Sequence, residues 1–231
     1  MKRFRLGALA LLTAGLAIPL AAPAGASGGT FFPYSQPGTP ASPSYTGISC
    51  VIDFSSVPDY STVTSVTSAT CGVTVVFSVP MIKFSVPDTW LVWGSGPNVE
   101  SSTPAVLYSW TGVDSVTMTY YKAGRPLSPA GRRTVGVEVM QNWSAFSGSA
   151  STEDFTATFT GAGGGTDGVV SRTVSSELQP ITDPSHSALL FGARTKTIPK
   201  VASLTITGSN NSDIGVYSGA DNSFAVAQIR V

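Results

Sequence analysis

Two stretches of alternation constrain this chain more than anything else in it. Residues 134–140 read Thr-Val-Gly-Val-Glu-Val-Met, which places Val135, Val137 and Val139 on one side and Gly136 and Glu138 on the other. Residues 154–160 read Asp-Phe-Thr-Ala-Thr-Phe-Thr, with Phe155, Ala157 and Phe159 opposed by Thr156, Thr158 and Thr160. A period of two belongs to a β-strand with one buried face. Such a face needs a second layer over it, so the pattern predicts stacked antiparallel sheets. Further apolar or alternating runs cover residues 48–54, 73–77, 90–93, 105–110, 116–121, 169–174, 188–193, 201–207 and 224–231. Gly, Pro, Ser, Asn and Asp punctuate them, and no stretch sustains a helical period. The expected fold is all-β: one two-layer antiparallel β-sandwich, jelly-roll-like, over residues 45–231. Its last strand is apolar on both faces apart from Gln228 and Arg230, which predicts a central position in its sheet. The Ser/Thr/Val stretch 55–70 reads as a loop.

Residues 1–26 have the layout of a signal peptide. Lys2, Arg3 and Arg5 supply the basic start, residues 6–20 the apolar centre, and Ala24-Gly25-Ala26 the small residues before a cleavage point after Ala26. The apolar centre is short for a membrane span, and Pro19 and Pro23 interrupt a continuing helix. The expectation is a secreted, extracellular protein with no membrane segment once the signal is removed. Residues 27–44, rich in Gly, Pro and Ser, read as a flexible arm, whose Phe31, Phe32 and Tyr34 are expected to dock on the domain surface.

Cleavage removes three of the 13 basic residues and none of the 13 acidic ones, leaving 10 against 13 and a net charge near −3. Nucleic-acid binding rests on clustered Lys and Arg that displace counterions, so no nucleic-acid partner is expected. The one basic cluster, Arg125 with Arg132 and Arg133, reads as a solvated loop, and a monomer is expected. Cys50 and Cys71 are an even pair in an exported chain and predict a disulfide, worth about 3 kcal/mol in the chain-entropy account.

Candidates for chemistry are few. The one histidine, His186, sits in a turn, without a Gly-x-Ser-x-Gly elbow or a second His for a metal. Glu138 has a predictable strand position opposite the valine face; it reads as a solvent-facing carboxylate with no second acid paired to it, as glycoside hydrolysis would need. Loop residues Asp183, Asn210, Asn211, Asp213, Asp221 and Asn222 offer oxygen ligands, so a structural calcium ion is the one cofactor considered. Asn142-Trp-Ser144 and Asn210-Asn-Ser212 fit the glycan-acceptor tripeptide, but a leader of bacterial type argues against that use. Trp90, Trp93 and Trp110 read as core or loop-packing residues, and adjacent Tyr120 and Tyr121 must point to opposite faces. Trp143 lies in a loop beside Gln141 and Asn142. There an aromatic ring stacks on a sugar while the amides bond its hydroxyls, which makes Gln141, Asn142 and Trp143 the predicted ligand site.

The run from Gly94 to Leu107, then Val135-Gly-Val-Glu-Val139, Phe155-Thr-Ala-Thr-Phe159, Leu190-Phe-Gly192, Leu204-Thr-Ile-Thr207 and Phe224-Ala-Val-Ala-Gln-Ile-Arg230, resembles exported bacterial jelly-roll domains of the kind found in PEP-CTERM-type surface proteins. The resemblance spans residues 45–231 and implies the fold and export; those domains largely lack an assigned activity. This chain departs from the anchored members in showing no PEP motif. The expectation is a secreted, non-catalytic module that binds glycan or another surface polymer. The alternatives are a glycoside hydrolase on the same scaffold and a structural matrix or coat component.

Overall fold

The computed structural model describes residues 31–37, 50–85, 105–109, 113–141, 151–176, 188–195, 200–208 and 224–231. Among these residues there are thirteen strands and no helix. They are β1 (Phe31–Pro37), β2 (Val51–Ile52), β3 (Thr62–Ser68), β4 (Val73–Ser85), β5 (Ala105–Tyr108), β6 (Ser115–Lys122), β7 (Arg125–Pro129), β8 (Thr134–Gln141), β9 (Ser151–Gly161), β10 (Thr166–Ser176), β11 (Leu189–Thr195), β12 (Val201–Gly208) and β13 (Phe224–Arg230). One antiparallel hydrogen-bonded path runs β1-β11-β8-β13-β5-β4-β6-β12-β9-β10, with β2 on β13, β3 on β4 and β7 on β6.

The path folds back on itself into a sandwich. One layer is β1, β11, β8, β13 and β5; the other is the first half of β4 with β6, β12, β9 and β10. The inward residues of the two layers meet: Phe155 of β9 packs edge-on against Phe191 of β11 at 6.5 Å and against Phe224 of β13 at 5.5 Å between ring centroids. Val135, Val137 and Val139 share this core with Val73, Val75, Met118, Tyr120, Leu204 and Ile206, all fully buried. At the far border β1 lies alongside β10, so the sandwich is nearly closed.

β4 makes the corner. Its first half pairs β6 (Val73–Phe77 against Met118–Lys122) and its second half pairs β5 (Ile82–Ser85 against Ala105–Tyr108). Between the halves, Val63 pairs Met81 while Ser65 pairs Val76, so residues 77–80 of β4 bulge opposite Thr64 alone. Pro80, which has no N–H to give a ladder, sits inside that bulge.

The outer face of the second layer carries hydroxyls in register. Thr117 and Thr205 hydrogen-bond at 2.8 Å, Thr156 and Ser171 at 2.8 Å, Ser115 and Thr207 at 3.1 Å, and Thr67 and Thr74 at 2.9 Å. The threonines of residues 154–160 thus stand on the face opposite Phe155, Ala157 and Phe159, as their alternation requires. Tyr120 is fully buried while Tyr121 is half-buried on the opposite face. Cys50 and Cys71 are bridged, with Cα atoms 5.6 Å apart, tying the start of β2 to the turn before β4.

Three features differ from the sequence expectation. First, residues 62–68 form β3 instead of a loop. Their two apolar residues, Val63 and Val66, are three apart, which hides the period of two behind a register slip. Second, Phe31–Pro37, inside the stretch read as an arm that docks on the domain surface, is a strand of the sheet itself, paired with β11 from Phe31↔Thr195 to Pro37↔Leu189.

Third, Glu138 is fully buried and not solvent-facing, because both faces of β8 are covered. Its partner comes from β13, whose position between β8 on one edge and β5 then β2 on the other is the central one expected. Strict alternation from Phe224 and Val226 would aim Gln228 and Arg230 into the sandwich core. A bulge prevents this: Ala227 pairs Glu138 and Arg230 pairs Gly136, leaving Gln228 and Ile229 opposite Val137 alone, with Gln228 at φ 46°. One extra residue exchanges the faces. Ile229 turns into the core, and Arg230 arrives on the face of Glu138, with Nη2 3.6 Å from Oε1 and donating to Gln228 Oε1 at 3.0 Å.

Candidate aromatic binding site

The loop 53–61 delivers one aromatic ring to the surface. Asp53 Oδ1 accepts from the Ser55 amide at 3.0 Å and hydroxyl at 2.6 Å, and the Val57 amide donates to the Phe54 carbonyl at 3.0 Å, which turns the chain. Phe54, fully buried, anchors the turn in the core. The chain then joins the edge of β4: the Tyr60 amide donates to the Lys83 carbonyl at 2.8 Å and the Lys83 amide to the Ser61 carbonyl at 3.0 Å. Between these bonds Tyr60 adopts φ 61°, a left-handed conformation rare for a bulky side chain.

A buried lysine locks this arrangement. Lys83 is 3% exposed, and its Nζ reaches Asp59 Oδ1 at 2.7 Å and Ser85 Oγ at 2.6 Å. The Lys83 hydrogen bond holds the Asp59 carboxyl below its ordinary range, against the opposing pull of desolvation. Ser61 closes the turn by donating its hydroxyl to the Pro58 carbonyl at 2.6 Å.

The result is an aromatic strip that runs from the loop onto the two paired strands β4 and β5. Tyr60 is 70% exposed; its ring lies 5.7 Å from that of half-buried Phe84, which lies 6.4 Å edge-on from Tyr108, 8% exposed. Burial, and then Tyr60, raise the Tyr108 hydroxyl above its ordinary value. Tyr60 and Val169 are the large apolar side chains most open to solvent among the described residues. An open ring flanked by the polar side chains of Asp59 and Ser61 can stack against the C–H face of a sugar while its hydroxyls find partners.

Of the predicted ligand residues, Gln141 ends β8 opposite Phe224, whereas Asn142 and Trp143 lie outside the described residues, as do Trp90, Trp93, Trp110, His186 and the loops considered for calcium. Among the described residues no three His, Cys, Asp or Glu side chains come together to hold a metal ion. Arg132 is not a solvated loop residue: its Nη2 donates to the Gly72 carbonyl at 2.8 Å, and its backbone bridges to Val201. Tyr60 escaped the sequence reading, although Pro58-Asp59 before it is a turn signal that would present its successor at the surface.

A second site of chemical interest is the carboxylate of Glu153. It shares the inward side of β9 with Phe155 and stands at the end of the sandwich, lying over Gly208 so closely that a Cβ there would collide with it. Burial, followed by repulsion from Asp114 and Asp154, pushes Glu153 up to about 7. Asp154, on the outward side, accepts from the Thr173 hydroxyl. Compared with models of known protein families and with curated proteins, the sequence matches none.

Proposed function

We propose that this chain is a secreted, non-catalytic module that binds an extracellular glycan, with Tyr60 as its stacking platform. One observation carries the reading: a tyrosine held 70% exposed at φ 61°. The left-handed backbone costs about 1–2 kcal/mol for such a residue, and a ring left in water returns little of it by burial. Unusual backbone geometry that presents a side chain outward is a pointer to a binding role. Phe84 and Tyr108 extend the platform inward, and the Lys83–Asp59 pair keeps it rigid before any ligand arrives, which lowers the entropy lost on binding.

A glycan array probed with the mature chain, with reducing-sugar release followed on every sugar retained, tests this reading. Tyr60→Ala is expected to weaken the strongest interaction about tenfold or more, the usual range for truncating an aromatic anchor. Unchanged affinity would remove Tyr60 from the site, and Trp143→Ala in parallel tests the loop favoured by the sequence. A glycoside hydrolase is the second reading, favoured by the raised carboxyl of Glu153 beside Asp114 and Asp154. Sugar release that vanishes in Glu153→Gln would establish it in place of the first.

A further inference from the structure

The sheet has an unguarded edge at β3. Among the described residues β3 bonds only to β4, and its Thr62, Thr64, Ser65 and Thr67 are exposed. The borders at β1 and β10 and at β7 are protected: β1 and β10 lie against each other, and β7 begins with Arg125 and carries Pro126 and Pro129, while β2 is only two residues long. Charges, prolines and cover are how natural sheets prevent unwanted pairing. Residues 60–71, by contrast, read Tyr-Ser-Thr-Val-Thr-Ser-Val-Thr-Ser-Ala-Thr-Cys, with neither a charge nor a proline.

This edge is also symmetric about the point between Thr64 and Ser65. Reflected there, Thr64 meets Ser65, Val63 meets Val66, Thr62 meets Thr67 and Ser61 meets Ser68. Exposure follows the same symmetry: Thr64 and Ser65 are exposed, Val63 and Val66 face the core, Thr62 and Thr67 are exposed, and Ser61 and Ser68 are half-buried. Directly opposed residues of an antiparallel pair share a face, so a strand can pair with its own copy only if such positions match. Val63 and Val66, three residues apart, point the same way only because the β3–β4 register slips between Val63 and Ser65.

We propose that β3 is the interface of a homodimer, adding antiparallel to β3 of a second copy across a twofold axis between Thr64 and Ser65. This departs from the monomer expected from the sequence. The ladder over residues 61–68 would supply about eight backbone hydrogen bonds, and the contact is self-complementary and closed. Both Tyr60 rings then stand on the same side of the joined sheet, about 30 Å apart along the strands. That last consequence, two platforms facing one polymer, rests on the glycan reading; the dimer does not.

Sedimentation equilibrium of the mature chain, with hydrogen exchange at low and high concentration, tests the proposal without any glycan. A dimer whose amides at 61–68 slow with rising concentration is expected. Thr64→Lys places like charges across the axis at a position without a β4 partner, and should raise the dissociation constant at least tenfold while melting stays cooperative. Thr62→Lys, also exposed, is the second variant should the first not fold. A monomer at every concentration, a dimer without protection at 61–68, or a dimer indifferent to both substitutions would overturn it.

Discussion

Replacing Glu153 with glutamine should change how stability depends on pH in a direction the structure dictates. The Glu153 carboxyl is raised from its ordinary 4.5 to about 7, chiefly by burial and then by Asp114 and Asp154. The folded chain therefore holds this proton more tightly than the unfolded one. Below the unfolded value both states are protonated and nothing is lost; above about pH 7 both are ionised and the whole cost is present. In between, stability falls as pH rises. The full rise corresponds to about 3 kcal/mol between the protonation states. A carboxylate partly open to solvent keeps less than half of that after screening, so the expected loss is on the order of 1 kcal/mol. Glutamine occupies the same space over Gly208 without the charge, so Glu153→Gln should gain on the wild type by that amount between about pH 5 and pH 8. Urea denaturation of both chains across this range measures it, and melting should shift by about 2–4 °C at the alkaline end. Titrating groups that do not interact with Glu153 are common to both chains and cancel in the difference. Asp59, whose carboxyl is lowered, loses its contribution only as pH falls through its folded value, on the acid side of the window. A wild type whose stability relative to Glu153→Gln is flat, or rises with pH, would refute the reasoning.

Tyr60→Gly and Tyr60→Ala should both lose glycan binding, but glycine fits φ 61° without strain and is expected to be the more stable by about 1 kcal/mol, measured by denaturant titration. Glu138→Ala removes the buried carboxylate beside Arg230 and should cost about 3–5 kcal/mol, whereas Glu138→Leu with Arg230→Met should restore most of it in the same titration. Cys50→Ser with Cys71→Ser opens a bridge between residues 21 apart and should lower stability by about 3 kcal/mol, while intact mass of the secreted wild type should show no free thiol and a start at Ser27.

Layering and strand identity are local properties, and they are legible in the sequence. Alternation at Val135, Val137 and Val139, and at Phe155, Ala157 and Phe159, names the residues that meet in the core, because side chains of a strand point to opposite faces whatever it pairs with. The two-sided apolar character of residues 224–231 named the central strand, and an even cysteine pair named the bridge. What alternation cannot supply is the face of a residue beyond an irregularity. The bulge at Gln228 sends Arg230 to Glu138, and the slip at Thr64 turns Val63 and Val66 to the same side; both arise from pairing with a distant strand. The fate of Glu138 shows the same limit, since a single polar residue opposite three valines reads as solvated until both faces of β8 are seen to be covered. Tyr60 is the extreme case. Its identity and the turn before it are in the sequence, but its exposure depends on Lys83, 23 residues later, bonding Asp59 and accepting the Tyr60 amide. Periodicity determined which residues form the core; only long-range pairing, where one shifted residue exchanges the two faces of a strand, decided which polar and aromatic groups stand together.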